Sequence, residues 1–134
     1  MSTAGTADEN RRLIEGLYAA FMQWEIPTVF QALDENIFWH IPGRGPLSGD
    51  YRGHAEVLGF FQRFMQMSGG TFRIQTEDLL ANDRRVLVLV TESAEREGRK
   101  WSSPQVHAWT IERRKATVFW QFQGDQQSED EFWS

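Results

Sequence analysis

Residues 39–53 read WHIPGRGPLSGDYRG, an alternating apolar segment that reaches a histidine and then breaks into a loop carrying Pro42, Gly43, Gly45, Pro46 and Gly49. Upstream, Ile37, Trp39 and Ile41 share one side of a period-two pattern and Phe38 and His40 share the other, which marks a strand. Downstream, Gly53 opens a helix whose Val57, Phe60, Phe61, Phe64 and Met65 make a wide apolar face. Gly69-Gly70 supplies its left-handed stop.

Two helices precede this unit. Thr6 and Glu9 have capping-box spacing, and Leu13, Ile14, Leu17, Tyr18 and Phe21 repeat at helical period. That helix stops near Trp24, because Pro27 suits the first turn of a new one. The short second helix carries Val29, Phe30 and Leu33. Beyond Gly70 the chain reads as four strands, at 71–81, 84–95, 99–112 and 116–123. Short turns at Asn82-Asp83, 95–98 and 113–115 make them an antiparallel meander, although the last turn lacks glycine. The VLVLV run at 86–90 is apolar on both faces, so one face is expected to meet the helices and the other a second copy of the chain.

A length of 134 residues fits one domain spanning 1–134, with 40% hydrophobic and 13% aromatic residues available for its core. Residues 1–8 read as a flexible tail. Residues 125–134 read as an acidic C-terminal tail in which Ser128 and Glu131 either cap a last helical turn or fray.

The net charge of -5 and the scattered Arg and Lys argue against nucleic acid as a partner. No cysteine is present, which removes disulfides, thiolate metal sites and a cysteine nucleophile. MSTAGTADEN has neither a basic start nor an apolar core, and no apolar run approaches the roughly 20 residues of a membrane helix. The expectation is a cytoplasmic protein with no membrane partner. No dinucleotide loop or G-x-S-x-G elbow is found, and the histidines lack metal-ligand spacing, so neither cofactor nor metal is expected.

The order helix, helix, strand, Pro–Gly loop, helix and four strands resembles the nuclear transport factor 2-like (NTF2-like) superfamily. LYAAF (17–21), WHIPGRGPLSGDYRG, GGTFRI (69–74) and VFWQFQGD (118–125) are similar to its SnoaL-like branch, related to ketosteroid isomerases and polyketide cyclases. The resemblance covers nearly the whole chain. It implies an α+β fold, a cone-shaped curved mixed or antiparallel β-sheet wrapped around three helices, with an internal hydrophobic pocket. It specifies the reaction poorly, because the relatives include isomerases, cyclases, epoxide hydrolases, dehydratases and proteins of no known activity.

The resemblance also implies site positions. The aspartate that precedes the Pro–Gly loop in ketosteroid isomerases falls nearest His40, and their second aspartate falls on His107 in QVHAWTI. Their tyrosine falls nearest Leu17 and Tyr18, and the aspartate of the cyclases falls on Gln121. Histidine in place of both carboxylates starts near a pKa of about 6.5, so little tuning is needed for proton transfer at neutral pH.

The expected catalytic set is therefore His40 as base, His107 as oxyanion or acid partner, and Tyr18. Phe38, Gln105, Trp109, Phe119, Gln121 and Arg44 are the expected contacts of a small hydrophobic ligand. Two functions stay open: a cofactor-free isomerase, cyclase or epoxide hydrolase-like enzyme acting on a hydrophobic metabolite, or a non-catalytic ligand-binding or dimerisation protein. A homodimer through the outer sheet face fits both.

Overall fold

The structure is a computed structural model that describes residues 6–134. Helix α1 (Ala7–Met22) is capped by the Thr6 side chain, which accepts from the Glu9 amide at 3.0 Å. The tail expected at 1–8 lies outside the described residues up to residue 5, and Ala7 and Asp8 already belong to α1. Helix α2 (Ile26–Ala32) carries proline in its first turn and gives way directly to strand β1 (Leu33–Ile41). Leu33 therefore begins the strand and does not end the helix.

The Pro–Gly loop contains a short strand, β2 (Gly49–Arg52), that the sequence did not announce. It pairs antiparallel with β1, His40 facing Asp50 across the ladder. Helix α3 (Gly53–Met67) follows, then β3 (Arg73–Ala81), β4 (Arg85–Arg96), β5 (Arg99–Glu112), β6 (Lys115–Gln123) and a last helix, α4 (Gln126–Trp133). Asp125, not Ser128, caps α4, accepting from the Ser128 amide at 3.1 Å.

The strands form one sheet in the order β2-β1-β6-β5-β4-β3, antiparallel except for the β1–β6 pair. Register shifts between Thr76 and Asp78 and between Thr110 and Ile111 insert extra residues. Such bulges bend and twist a sheet, and here they give α1 and α3 a concave face to fill. The side chains of Val86, Val88 and Val90 are buried on that face, while Leu87 and Leu89 remain exposed on the other. The helix side of the VLVLV run is thus covered within the chain and its outer side is not. No helix among the described residues is long and apolar enough to cross a membrane.

Candidate functional site

Inward positions of β4, β5 and β6 stand side by side across the sheet. Val88 pairs with His107 and His107 with Gln121; one step along, Val90 pairs with Gln105 and Gln105 with Gln123. Trp109 and Phe119 pair at the next inward step the other way, and Phe119 lies opposite Trp39 of β1. A polar stripe therefore runs beside an aromatic one on the concave face.

The cavity between this face and the helices is lined mainly by aromatic and aliphatic side chains, with Tyr18, Glu92, His107, Gln121 and Glu129 as its polar groups. Space open to the centres of water molecules amounts to about 60 Å³. One water needs only about 10–15 Å³ on that measure, so there is room for a small organic molecule or several waters. No Lys or Arg among the described residues lines it.

The polar groups form two networks. In the first, the Trp109 Nε1–H donates to Tyr18 Oη at 3.1 Å, and Tyr18 Oη lies 2.6 Å from His107 Nδ1. His107 Nε2 lies 3.1 Å from Glu92 Oε2 and 3.0 Å from Gln105 Oε1, both acceptors, so that nitrogen carries a proton. Gln105 Nε2 donates to Glu92 Oε1 at 2.8 Å. Two proton arrangements satisfy this chain. Neutral His107 accepts from the Tyr18 hydroxyl; protonated His107 donates to Tyr18 Oη and frees that hydroxyl for another acceptor. Burial, with the Glu92 charge adding to it against the Trp109 hydrogen bond, raises the Tyr18 pKa well above its usual value and keeps the phenol protonated.

The second network centres on Glu129 of α4. Its Oε1 accepts from Gln121 Nε2 at 2.9 Å, and its Oε2 accepts from Gln123 Nε2 at 2.8 Å and from Gln126 Nε2 at 3.1 Å. A carboxylate has about four acceptor sites, so one remains for a proton or a ligand donor. Burial is the main reason that the Glu129 pKa rises to about 7; the nearby Glu92 charge adds to it, and the three amide hydrogen bonds oppose it.

α4 is fastened over the cavity from two sides. The Gln126 amide donates to Pro42 O at 3.3 Å, and the Arg44 amide donates to Asp130 Oδ2 at 3.2 Å. Gly43, at φ +100°, passes so close that a β-carbon there would collide with Gln126 and Asp130. On the other side, the Arg96 and Arg99 guanidinium groups donate to the Phe132 carbonyl. The residues expected to form a tail therefore deliver Glu129 and Trp133 to the cavity wall.

Several expected site residues lie elsewhere. His40 points away from the cavity: it stacks on Trp120 with ring centres 3.8 Å apart, and its Nδ1 meets Asp50 Oδ1 at 2.6 Å on the outer face. Phe38, on the same side of β1, lies under the Arg52 guanidinium and is also outside. The reason is strand parity: Ile37, Trp39 and Ile41 are the buried side of β1.

Arg44 is exposed in the Pro–Gly loop, where its amide rather than its guanidinium makes the contact with Asp130. Gln105 is buried behind Glu92 and His107 and is not a lining residue. Tyr18, His107, Trp109, Phe119 and Gln121 do come together on the cavity wall, and Leu17 lines it beside Tyr18.

Glu92 and Glu129 were not singled out in the sequence. Glu92 continues the inward parity of Val86, Val88 and Val90, and Glu129 sits one helical turn before Phe132 and Trp133. Both signals were present.

Residues 14–123 match the SnoaL-like domain family. The chain belongs to that family. An uncharacterized protein of Mycobacterium tuberculosis is 24% identical over 130 residues, covering 96% of this SnoaL-like chain and 99% of its relative. The solved structure of Bal32a, from a soil-derived mobile gene cassette, shares 29% identity and a TM-score of 0.92, covering 96% of this chain and 98% of Bal32a. A protein of unknown function with a cystatin-like fold from Xanthomonas campestris shares 27% identity with a TM-score of 0.88, covering 93% and 98%. More distant structures that share the fold include an LEH-like epoxide hydrolase from Mycobacterium tuberculosis and a ketosteroid isomerase-like protein from Kribbella flavida, at 16% and 18% identity with TM-scores of 0.69 and 0.72.

Proposed function

We propose that this SnoaL-like chain is an acid–base enzyme that moves a proton on a small hydrophobic carbonyl compound, in the manner of an isomerase or cyclase. The observation that carries the reading is Glu129: a carboxyl held near a pKa of about 7 on the wall of an apolar cavity. A base works best when its pKa lies near the operating pH.

In this reading Glu129 takes the proton from the carbon next to the ligand carbonyl, and the C–H electron pair becomes the enolate. Tyr18, kept protonated by burial and with its hydroxyl freed by the arrangement in which His107 donates to Tyr18 Oη, donates to the enolate oxygen, while Glu92 holds the far side of the imidazole in place. The proton returns from Glu129 to the same or a neighbouring carbon. His40 has no part in this scheme.

The test is deuterium uptake from D2O into the α-carbon of flat ketones such as 1-indanone. The reading expects uptake that rises with pH through about 7 as Glu129 ionises, and that is lost in Glu129→Gln. Ketone binding without uptake above the buffer rate would overturn it in favour of a non-catalytic binder. One observation favours that second reading: Tyr18, His107, Glu92, Gln121 and Glu129 already hydrogen-bond within their two networks, as they must when a cavity only has to stay folded.

We also propose a homodimer through the outer sheet face. Leu80, Leu87, Ala108 and Trp120 follow one another across the strands, with Leu89, Val106 and Phe122 alongside. Leu80 and Phe122 are 53% and 55% exposed, a contiguous apolar surface of the kind that marks an interface. Sedimentation at micromolar concentration is expected to give a dimer that Phe122→Asp dissociates; a wild-type monomer contradicts this.

A further inference from the structure

The indole nitrogen of Trp39 is the single buried side-chain polar atom without a hydrogen-bond partner among the described residues. Trp39 is 6% exposed and lines the cavity. Its ring is fixed on three sides: stacked on Phe119 at 4.0 Å between centres, and edge-on to Trp109 at 5.5 Å and Phe61 at 5.4 Å.

Burying an N–H without an acceptor costs free energy, and native proteins leave few such groups without a reason. Trp109, a second tryptophan of the cavity wall, shows the contrast, because its N–H is matched by Tyr18.

We propose that the Trp39 Nε1–H is a specificity determinant that receives a neutral acceptor oxygen of the cavity ligand. An indole nitrogen can only donate, so the ligand atom must be an acceptor. It must also be uncharged. No Lys or Arg among the described residues lines the cavity, and Glu92, which already takes the His107 Nε2–H, stands on the same wall, so a carboxylate or phosphate would be desolvated beside a negative charge without a free partner. The aromatic surroundings then select a flat, mostly apolar skeleton bearing a carbonyl, such as a cyclic ketone, lactone or quinone. This deepens the proposed function and rests on the same cavity being the ligand site, but it concerns recognition rather than turnover.

The test uses three probes of one skeleton: 1-indanone, indane and indane-1-carboxylate. Indole N–H signals are followed by ¹⁵N–¹H NMR, and that of Trp39 is assigned by its joint contacts to the Phe61 and Phe119 rings, since Trp109 packs on Phe119 but not on Phe61. The ketone is expected to move the Trp39 N–H downfield, and indane to leave it in place. Trp39→Phe is expected to weaken ketone binding about 3- to 10-fold, the ordinary worth of one hydrogen bond, and to leave indane affinity nearly unchanged. The carboxylate is expected to bind at least about tenfold more weakly than the ketone.

An unmoved Trp39 N–H at saturating ketone, equal losses for ketone and indane in Trp39→Phe, or no ketone binding at millimolar concentration overturns the proposal. A carboxylate that binds as well as the ketone overturns the requirement for a neutral oxygen. The shift is read on the unaltered protein, so it stands even if the variant folds poorly. A ketone that moves the Trp39 signal but takes up no deuterium keeps this inference and removes the acid–base reading. Deuterium uptake with an unmoved signal does the reverse.

Discussion

Tyr18 Oη lies 2.6 Å from His107 Nδ1, joining the first helix to the third strand of the meander through a contact buried on both sides. With Trp109 donating to the phenol and Glu92 accepting from the far imidazole nitrogen, one hydrogen-bonded line crosses the cavity wall. Replacing Tyr18 by Phe strands the Trp109 N–H and His107 Nδ1 together. The expected cost is about 2–3 kcal/mol in urea unfolding, because unmet buried polar groups are the expensive part of a broken bond. A double-mutant cycle of Tyr18→Phe with His107→Leu should return a coupling of about 1 kcal/mol or more; additive losses contradict the line.

Glu129 also makes stability depend on pH, in a direction unusual for a carboxylate. It holds its proton up to about pH 7 in the folded chain, against 4.5 as the ordinary value. Between those values the folded state binds more protons than the unfolded state, so the slope of stability with pH is negative there. Its contribution is fully present below pH 4.5, falls as pH rises through about 7, and is flat above that. The loss is of the order of 3 kcal/mol. Urea midpoints between pH 5 and 8 check it, and Glu129→Gln should flatten the slope. An unchanged slope in that variant assigns the dependence to another group.

His40→Ala should leave the cavity untouched. The Asp50 pair is half-exposed and worth less than about 1 kcal/mol, and the Trp120 stack adds a similar amount. Binding of 1-indanone and any deuterium uptake should match wild type, whereas His107→Ala should impair both. Equal losses in the two variants would return His40 to the site.

The β5–β6 turn carries a removable strain. Arg113 and Arg114 have φ of 50° and 64°, a left-handed pair that costs non-glycine residues about 1 kcal/mol or more each. Asn-Gly is the preferred sequence for such a turn. R113N/R114G should therefore raise stability by roughly 1 kcal/mol in thermal or urea unfolding. A decrease would mean that the arginines contribute more than their backbone costs.

The fold was legible because its main elements carried their own periods: the helical repeat of Leu13, Leu17 and Phe21, the alternation from Ile37 to Ile41, and the long strands after Gly70. The site was legible only where parity was followed. Gln105, His107 and Trp109 share one side of β5 and are all buried. On β1 the resemblance to the isomerases pulled His40 inward against the stronger apolar side of Ile37, Trp39 and Ile41. A slip of one residue exchanges the two faces of a strand.

Glu129 was hidden for a different reason. An acidic tail reads as solvated, and nothing local says that the Gln121, Gln123 and Gln126 amides will converge on one of its carboxylates. The strand β2 was too short, and too rich in loop residues, to show a period.

The most direct measurement is a ¹³C NMR titration of the Glu129 side-chain carboxyl in the intact protein, assigned by comparison with Glu129→Gln. The account predicts a midpoint of about 7, with a small matching response at Glu92, whose charge helps to raise it. A midpoint near 4.5 would mean that Glu129 is an ordinary solvated carboxylate, and the cavity would then lack its proton acceptor.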